Sequence, residues 1–388
     1  MKKKNNKKQL PSESSAKKVK IKVIGIGGGG GNIVSDLAKK LKDFSSTKID
    51  FWAVNTDAQA LEALNKKVKK FSFGQKLTSG LGTGREVAIG EKAAKDDLER
   101  IKSLFSDKKD LYIIVSSLGG GTGTGSSPVI ARLASQMNLM TLGIFTLPFS
   151  FEGKKRAEVA RNALEEMKNY LNAYMIILNE KIFSLTKEEI SFTDSLNLLN
   201  DYLANSLEGL LRTIFSPGLI NIDWADIKTI LEGKKNLAYL NSVKVKGGNS
   251  TEELMKKLIK NPILDYNFEA ADNIMFNIEG SSKDLSLQSI SQISKRINEM
   301  APAARIIFGF INNPKMKNEI KVTILSTGSG EEKKKKIEPK TKTGRTALEI
   351  KEAEEKEMEK EEEDEKIFEI PAFLRKEKTK KVKNDKRG

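Results

Sequence analysis

Cysteine and histidine are both absent from this 388-residue chain. Without cysteine there are no structural disulfides, thiolate nucleophiles, cysteine zinc sites or iron–sulfur clusters. Without histidine there is no Ser-His-Asp or Cys-His relay, and the common zinc-hydrolase sites drop out. Any chemistry must rest on carboxylates, Lys and Arg, backbone amides and hard metal ions. Long apolar runs are missing too: no stretch approaches the ~18 residues of a membrane span, and the Lys-rich start lacks the apolar segment of a secretion signal. The expectation is a cytoplasmic protein large enough for more than one domain.

The net charge of +16 is unevenly placed. Residues 1–22 hold nine Lys and one Glu, and 331–388 hold 19 basic and 17 acidic residues, which leaves 40 basic against 34 acidic in 23–330. That middle part is only mildly basic, so no specific nucleic-acid partner is expected. Residues 1–18 read as a disordered basic arm and 329–366 as a charged, disordered linker. An apolar island, Ile367-Phe368-Glu369-Ile370-Pro371-Ala372-Phe373-Leu374, interrupts the polar tail before a basic end at 377–388. Ile370, Phe373 and Leu374 could anchor such a peptide in a partner's groove.

Between the arms, β-type runs alternate with helical ones. Val19, Ile21, Val23 and Ile26 lead into five glycines, Gly27 to Gly31, and then a helical spacing through Ile33, Leu37 and Leu41. Comparable strands are expected at 49–54, 111–115, 140–145 and 173–178. This alternation predicts an α/β fold with a parallel sheet, and ligands of such sheets bind where the strands end. Residues 19–193 form the predicted ligand-binding domain. A long helix over 194–216, with Leu196, Leu199, Leu203, Leu207, Leu210 and Ile214 on one face, bridges it to an α+β domain at 217–328.

Two glycine-rich turns carry the chemistry. Gly25 to Gly30 satisfies GxGxxG between a strand and a helix, and Gly119-Gly120-Gly121-Thr122-Gly123-Thr124-Gly125 follows another strand. Backbone amides of such turns approach anions, and two of them facing one cleft suit a triphosphate. No GxxxxGK[ST] occurs, which excludes a P-loop enzyme. A nicotinamide oxidoreductase would use only the first turn, with Asp50 on a ribose. Further on, Asp223 and Asp226 fit a helix cap at i and i+3, and equally a pair of acids that orients a water.

The span Ile21 to Gly328 resembles the tubulin/FtsZ family of GTPases through IKVIGIGGGGGN, AVNTDAQAL, KLTSGLGTG, GGGTGTG, PFSFEGKKR and GLINIDWAD. The resemblance implies GTP and GDP as ligands, with Mg²⁺ on the phosphates and no side-chain metal ligand, and K⁺ as a further cation. Gly27, Gly28, Gly29, Gly30, Gly31, Asn32 and Gly119 to Gly125 (Gly119, Gly120, Gly121, Thr122, Gly123, Thr124, Gly125) would hold the phosphates. Glu152 and Arg156 would contact the ribose region, and Asn179 and Asn200 the guanine. Asn221, Asp223 and Asp226 would enter the pocket of the next subunit and activate water there. The implied biology is head-to-tail filaments in a midcell division ring. Glu369 to Lys376 resembles the family's C-terminal peptide, in which Ile370, Pro371, Phe373, Leu374 and Arg375 would bind a membrane tether and division regulators, so membrane association is indirect. Two departures stand out: Arg85-Glu86-Val87-Ala88 replaces the usual Ala-Asn-Pro-Glu, and Leu196 stands where an aromatic usually meets the base. A non-hydrolysing scaffold of the same superfamily remains an alternative.

Overall fold

The computed structural model describes residues 19–328, apart from 43, 45–47, 186–189, 247–249, 265 and 284; the arm 1–18, the linker, the 367–376 peptide and the basic tail lie outside the described residues. Ten strands form one sheet: β1 (Ile21–Ile26), β2 (Ile49–Asn55), β3 (Lys69–Ser72), β4 (Leu111–Ser117), β5 (Thr141–Leu147), β6 (Ala173–Leu178), β7 (Asn236–Lys246), β8 (Asn273–Gly280), β9 (Arg305–Asn312) and β10 (Glu319–Gly328). Their order is β3-β2-β1-β4-β5-β6-β7-β10-β8-β9. The first six are parallel. β7 joins β6 through two residue pairs, Ala173 with Asn236 and Tyr174 with Leu237. Beyond it, β10 lies antiparallel between β7 and β8, and β9 runs parallel to β8.

The strand order explains where a ligand can sit. The chain builds β1, β2 and β3 outward in one direction, then returns to place β4 on the other side of β1. At that reversal the crossover helices leave opposite faces of the sheet, which opens a crevice at the carboxyl ends of β1 and β4. Both glycine-rich turns lie there. Every residue of β1 is buried because its alternate residues feed two different cores. Ile21 and Val23 pack with the helix Gly27–Lys40 and the long helix Phe192–Phe215, whereas Ile24 and Ile26 pack with Val87–Asp96, Gly121–Gln136 and Lys154–Met167.

The long helix has 24 residues, about 36 Å at 1.5 Å per residue. Ser191 caps it, accepting from the Asp194 amide at 3.0 Å, so it begins two residues before the predicted start. Leu199, Leu203, Leu207 and Leu210 are buried as their spacing requires. Gly209 lets the helix press on β7 and β10: a Cβ there would lie 2.5 Å from the Ser242 hydroxyl. At its other end, Asp201 meets Lys40 at 2.7 Å and Asn200 donates to Asp36 at 3.2 Å, tying it to the first helix.

At the amino ends of the strands, opposite the crevice, lies a charged network. Lys22 is 1% exposed, and its Nζ donates to Leu104 O and Asp107 Oδ1, both at 2.6 Å. Lys109 bridges Asp50 at 2.6 Å and Asp107 at 3.2 Å. Burial by itself would raise the Asp50 and Asp107 carboxyls, yet hydrogen bonds and charge from the surrounding lysines hold both below their ordinary range. Burial likewise opposes charge on Lys109, and its two carboxylate partners outweigh that and raise it.

Candidate functional site

The crevice is a cleft of about 450 Å³ at the carboxyl ends of β1, β2, β4, β5 and β6. Its middle is built from two helix N-termini, those of Gly27–Lys40 and Gly121–Gln136. Neither helix has a side-chain cap or an acidic residue in its first turn. Most helices satisfy their first amides in one of these ways, so here the N–H groups and the positive dipole ends stay available to an anion. The glycines are less a pair of long loops than the first turns of these helices, which begin at Gly27 and at Gly121.

Two glycine roles separate. Gly27 has φ +73°, and a Cβ on it would lie 2.7 Å from the Gly123 amide nitrogen; the two turns can touch only because both are glycine. In contrast, a Cβ on Gly28 or Gly120 would meet nothing within 4 Å. Those positions border open cleft, where the missing side chain leaves room for a ligand rather than for protein.

Of the nucleotide residues expected from sequence, Gly28, Gly29, Gly120, Gly121, Thr122, Gly123, Glu152, Arg156 and Asn179 line the cleft. Gly27, Gly30 and Gly31 are buried beneath it, and Asn32 is exposed outside it. Thr124 and Gly125 lie within the second helix: the Thr124 hydroxyl accepts from the Gly119 amide at 2.8 Å and so shapes the turn from below. The Thr122 hydroxyl is shared with that of Thr56 at 2.7 Å. Asn200, occupied with Asp36, is not among the cleft-lining residues.

Glu152 and Arg156 do form the i,i+4 ion pair that their spacing permits. They also reach further. Arg156 Nε donates to Gly119 O at 3.0 Å, while Glu152 Oε1 accepts from the Phe149 amide at 2.9 Å. The pair therefore clamps the second glycine turn to the end of β5. Beside it Phe149, Phe192 and Leu196 make an apolar wall, with Phe149 and Phe192 ring centroids 5.8 Å apart. Leu196 replaces the aromatic expected from the resemblance, and Phe192, one helical turn earlier on the same face and 59% exposed, brings an aromatic to that wall.

The far end of the cleft comes from segments that sequence reasoning left unassigned. Asn55 ends β2 and Asp57 follows it, and Leu81, Gly82, Thr83, Gly84 and Arg85 form a turn alongside. Their sequence signals were present: polar residues at a strand end, and a run of alternating glycines, Gly80, Gly82 and Gly84, all with positive φ. Asp57 Oδ1 is committed to the Ala60 amide at 2.9 Å as a helix cap.

Among the described residues none beyond Leu196 lines the cleft, so Asn221, Asp223 and Asp226 stand apart from it. Asp223 Oδ1 accepts from the Asp226 amide at 2.9 Å and Asp226 Oδ2 from the Asp223 amide at 3.0 Å, a reciprocal capping box at the start of Trp224–Leu231. Each carboxylate keeps its second oxygen outside that box, and Asn221 and Asp223 are exposed.

Among the described residues no group of three or more Asp or Glu is placed to hold a metal. The cleft's neutral and acidic oxygens, on Asn55, Asp57 and Thr83, fit a hard cation that keeps water and takes further oxygens from phosphate. Nor is any helix among the described residues long and apolar enough to cross a membrane.

A two-turn anion site at the switch point of a parallel sheet, beside an apolar wall and a long helix, defines a tubulin-like nucleotide-binding architecture. The family described as Tubulin/FtsZ family, GTPase domain, matches residues 20–187, and the FtsZ family, C-terminal domain, matches 237–330. The cell division protein FtsZ of Wigglesworthia glossinidia brevipalpis is 34% identical over 284 residues, 73% of each chain. That of Aquifex aeolicus is 34% identical over 281 residues, 72% of this chain and 76% of the relative. An FtsZ dimer from M. jannaschii superposes with a TM-score of 0.70 at 32% identity, covering 81% of this chain and 90% of that one. CetZ2 from Haloferax volcanii, solved as a GTPgS-bound protofilament, gives 0.70 at 18% identity over 79% of this chain and 92% of its own, a likeness of fold. The chain belongs to the FtsZ family of cell division proteins.

Proposed function

We propose that the cleft binds GTP and GDP and that hydrolysis is completed only in a head-to-tail assembly, when the Asn221–Asp226 segment of one copy meets the cleft of the next. One observation carries this: Asp223 and Asp226 stand at the surface away from the cleft, each with one carboxylate oxygen outside their mutual cap, while the carboxylates lining the cleft already serve to hold its walls. Asp57 caps a helix, and Glu152 is held by Arg156 and the Phe149 amide. A water attacking a terminal phosphate needs orientation and charge stabilisation more than covalent help. Asp223 and Asp226, presented at the surface with free oxygens, supply the first from outside. Mg²⁺, when bound on the phosphates, supplies charge neutralisation, and K⁺ is the monovalent cation to test beside it.

Within the cleft, the uncapped helix ends receive the phosphates, Arg156 and Glu152 face the sugar, and Asn179 reads the edge of the base against Phe149, Phe192 and Leu196. Asn200 acts at second hand, by fixing the long helix to Asp36. The resulting filaments form the division ring at midcell. The peptide around Ile370, Pro371, Phe373, Leu374 and Arg375 tethers them to the membrane through partners.

The test is GTP turnover per subunit at rising protein concentration, in Mg²⁺ and K⁺, with Asp226→Ala as control. A threshold followed by a plateau, lost in the variant, is expected. A rate per subunit independent of concentration would mean a self-contained site, and binding without turnover would favour a scaffold.

A further inference from the structure

Of the charged side chains that line the cleft, Asp57, Glu152 and Arg156 are all committed to protein partners, and one is not: Arg85. It is exposed, and it has no ion pair or side-chain hydrogen bond among the described residues. Its backbone is also unusual. Arg85 has φ +71° and follows Gly82 and Gly84 at +82° and +58°, so an arginine occupies a left-handed position that glycine would fill without steric cost. Such an outlier beside a binding cleft points to a function that holds it there.

Its place in the cleft says which part of a ligand it meets. Its own carbonyl carbon lies 2.8 Å from where a Cβ on Gly121 would be, so the Arg85 turn is seated directly on the N-terminus of the second glycine helix. Arg156 holds the other flank of the same turn, through Gly119 O. The apolar wall and Asn179 are on the Arg156 side, whereas Asn55, Asp57 and the 81–85 turn are on the Arg85 side. A nucleotide with its base on the apolar wall lays its phosphates across the two helix ends and finishes at Arg85.

On the reading that the cleft takes guanine nucleotides, we infer that Arg85 is the residue that senses the terminal phosphate: its guanidinium closes on the γ-phosphate of a triphosphate and finds no partner in a diphosphate. Arginine suits this task because its planar fork pairs with two phosphate oxygens at once and never loses its charge.

The experiment compares full-length protein with Arg85→Gly and Arg85→Lys by calorimetric titration with a slowly hydrolysed GTP analogue and with GDP, in Mg²⁺, below the concentration at which it assembles. Hydrogen bonds to charged groups set the expected loss, about ten- to a hundred-fold in affinity for the triphosphate with Arg85→Gly. Affinity for GDP should stay within about two-fold, and Arg85→Lys should lie between, since it keeps the charge and loses the fork. Because glycine fits the left-handed backbone, the nucleotide-free variant should unfold within about 2 °C of wild type, which separates this loss from misfolding. Equal losses for both nucleotides, or none for either, would overturn the inference while leaving the cleft a nucleotide site. Failure of the wild-type chain to bind either nucleotide would remove the guanine-nucleotide reading, and the role of Arg85 with it.

Discussion

Asp223 can be substituted so that its two roles come apart. As the N-cap of Trp224–Leu231 it needs only a side-chain oxygen that accepts from the Asp226 amide, now 2.9 Å away. Asparagine offers that oxygen, so Asp223→Asn keeps the cap and forfeits mainly the charge–dipole attraction, about 0.3–1 kcal/mol. Asp223→Ala loses the cap as well, about 0.5–2 kcal/mol in total, a shift of a few degrees in a chain of this size. Catalysis should respond differently. A positioned acid or base contributes about 10²–10⁴-fold, so both variants should lose GTP turnover to a similar extent, on the order of a hundred-fold or more. Thermal unfolding and phosphate release on the same samples give the two readouts. A mixing experiment then locates the carboxylate. A Cβ on Gly28 meets no protein atom within 4 Å and borders the open cleft, so Gly28→Leu should block the ligand and spare the fold. Mixed in equal amounts with Asp223→Asn, it supplies an intact acidic segment to the other variant's intact cleft. In a heterologous head-to-tail contact about one quarter of the junctions are then complete, and activity should return on that order. If Asp223→Asn turns over GTP like wild type, or if activity falls only in step with stability, the carboxylate is a cap and nothing more.

Gly27→Ala forces φ +73° on a side chain that would lie 2.7 Å from the Gly123 amide, and the combined strain and overpacking should cost about 2–4 kcal/mol, measurable by denaturant unfolding, with weaker nucleotide binding because the two helix ends move apart. Phe192→Ala removes an exposed aromatic from the apolar wall, and should weaken GTP and GDP alike by about five- to ten-fold on the basis of stacking contacts worth about 1 kcal/mol, a ratio that titration with both nucleotides checks. The network at the amino ends of the strands should make stability depend on pH at both extremes. Asp50 and Asp107 lie below the ordinary carboxylate value of 3.8, so their contribution is complete above that pH and is lost as the pH falls through their lowered values. Lys109 is raised above 10.5, so its contribution is complete below that pH and lost as the pH rises through its folded value. Asp50→Asn should flatten both limbs of the unfolding profile.

Much of the architecture was legible from period and punctuation. Strand residues buried on both faces read as short apolar runs, and each run stops at a turn signal, glycine after β1 and β4, Asn-Thr-Asp at the end of β2, Pro148 after β5 and Asn179 after β6, so these five strands stood out. β7 did not, because buried polar residues break its pattern: Asn241 donates to Lys257 O and Leu258 O, and Ser242 pairs with Thr323. Those partners are distant in sequence, so nothing local marks Asn241 as interior. β3 was missed for a simpler reason, being four residues at the sheet edge with two lysines. Residue type and spacing were enough to identify the two glycine turns, the Glu152–Arg156 pair and the Asp223–Asp226 cap, since each depends on neighbours within one turn of helix. Only the tertiary structure decided which glycines face a ligand and which merely let backbones touch, that Asn200 serves the long helix rather than the cleft, and that Arg85 stands alone at its far end. Those distinctions depend on atoms brought together by the reversal of strand order between β1 and β4, a contact between segments some ninety residues apart that no local pattern encodes.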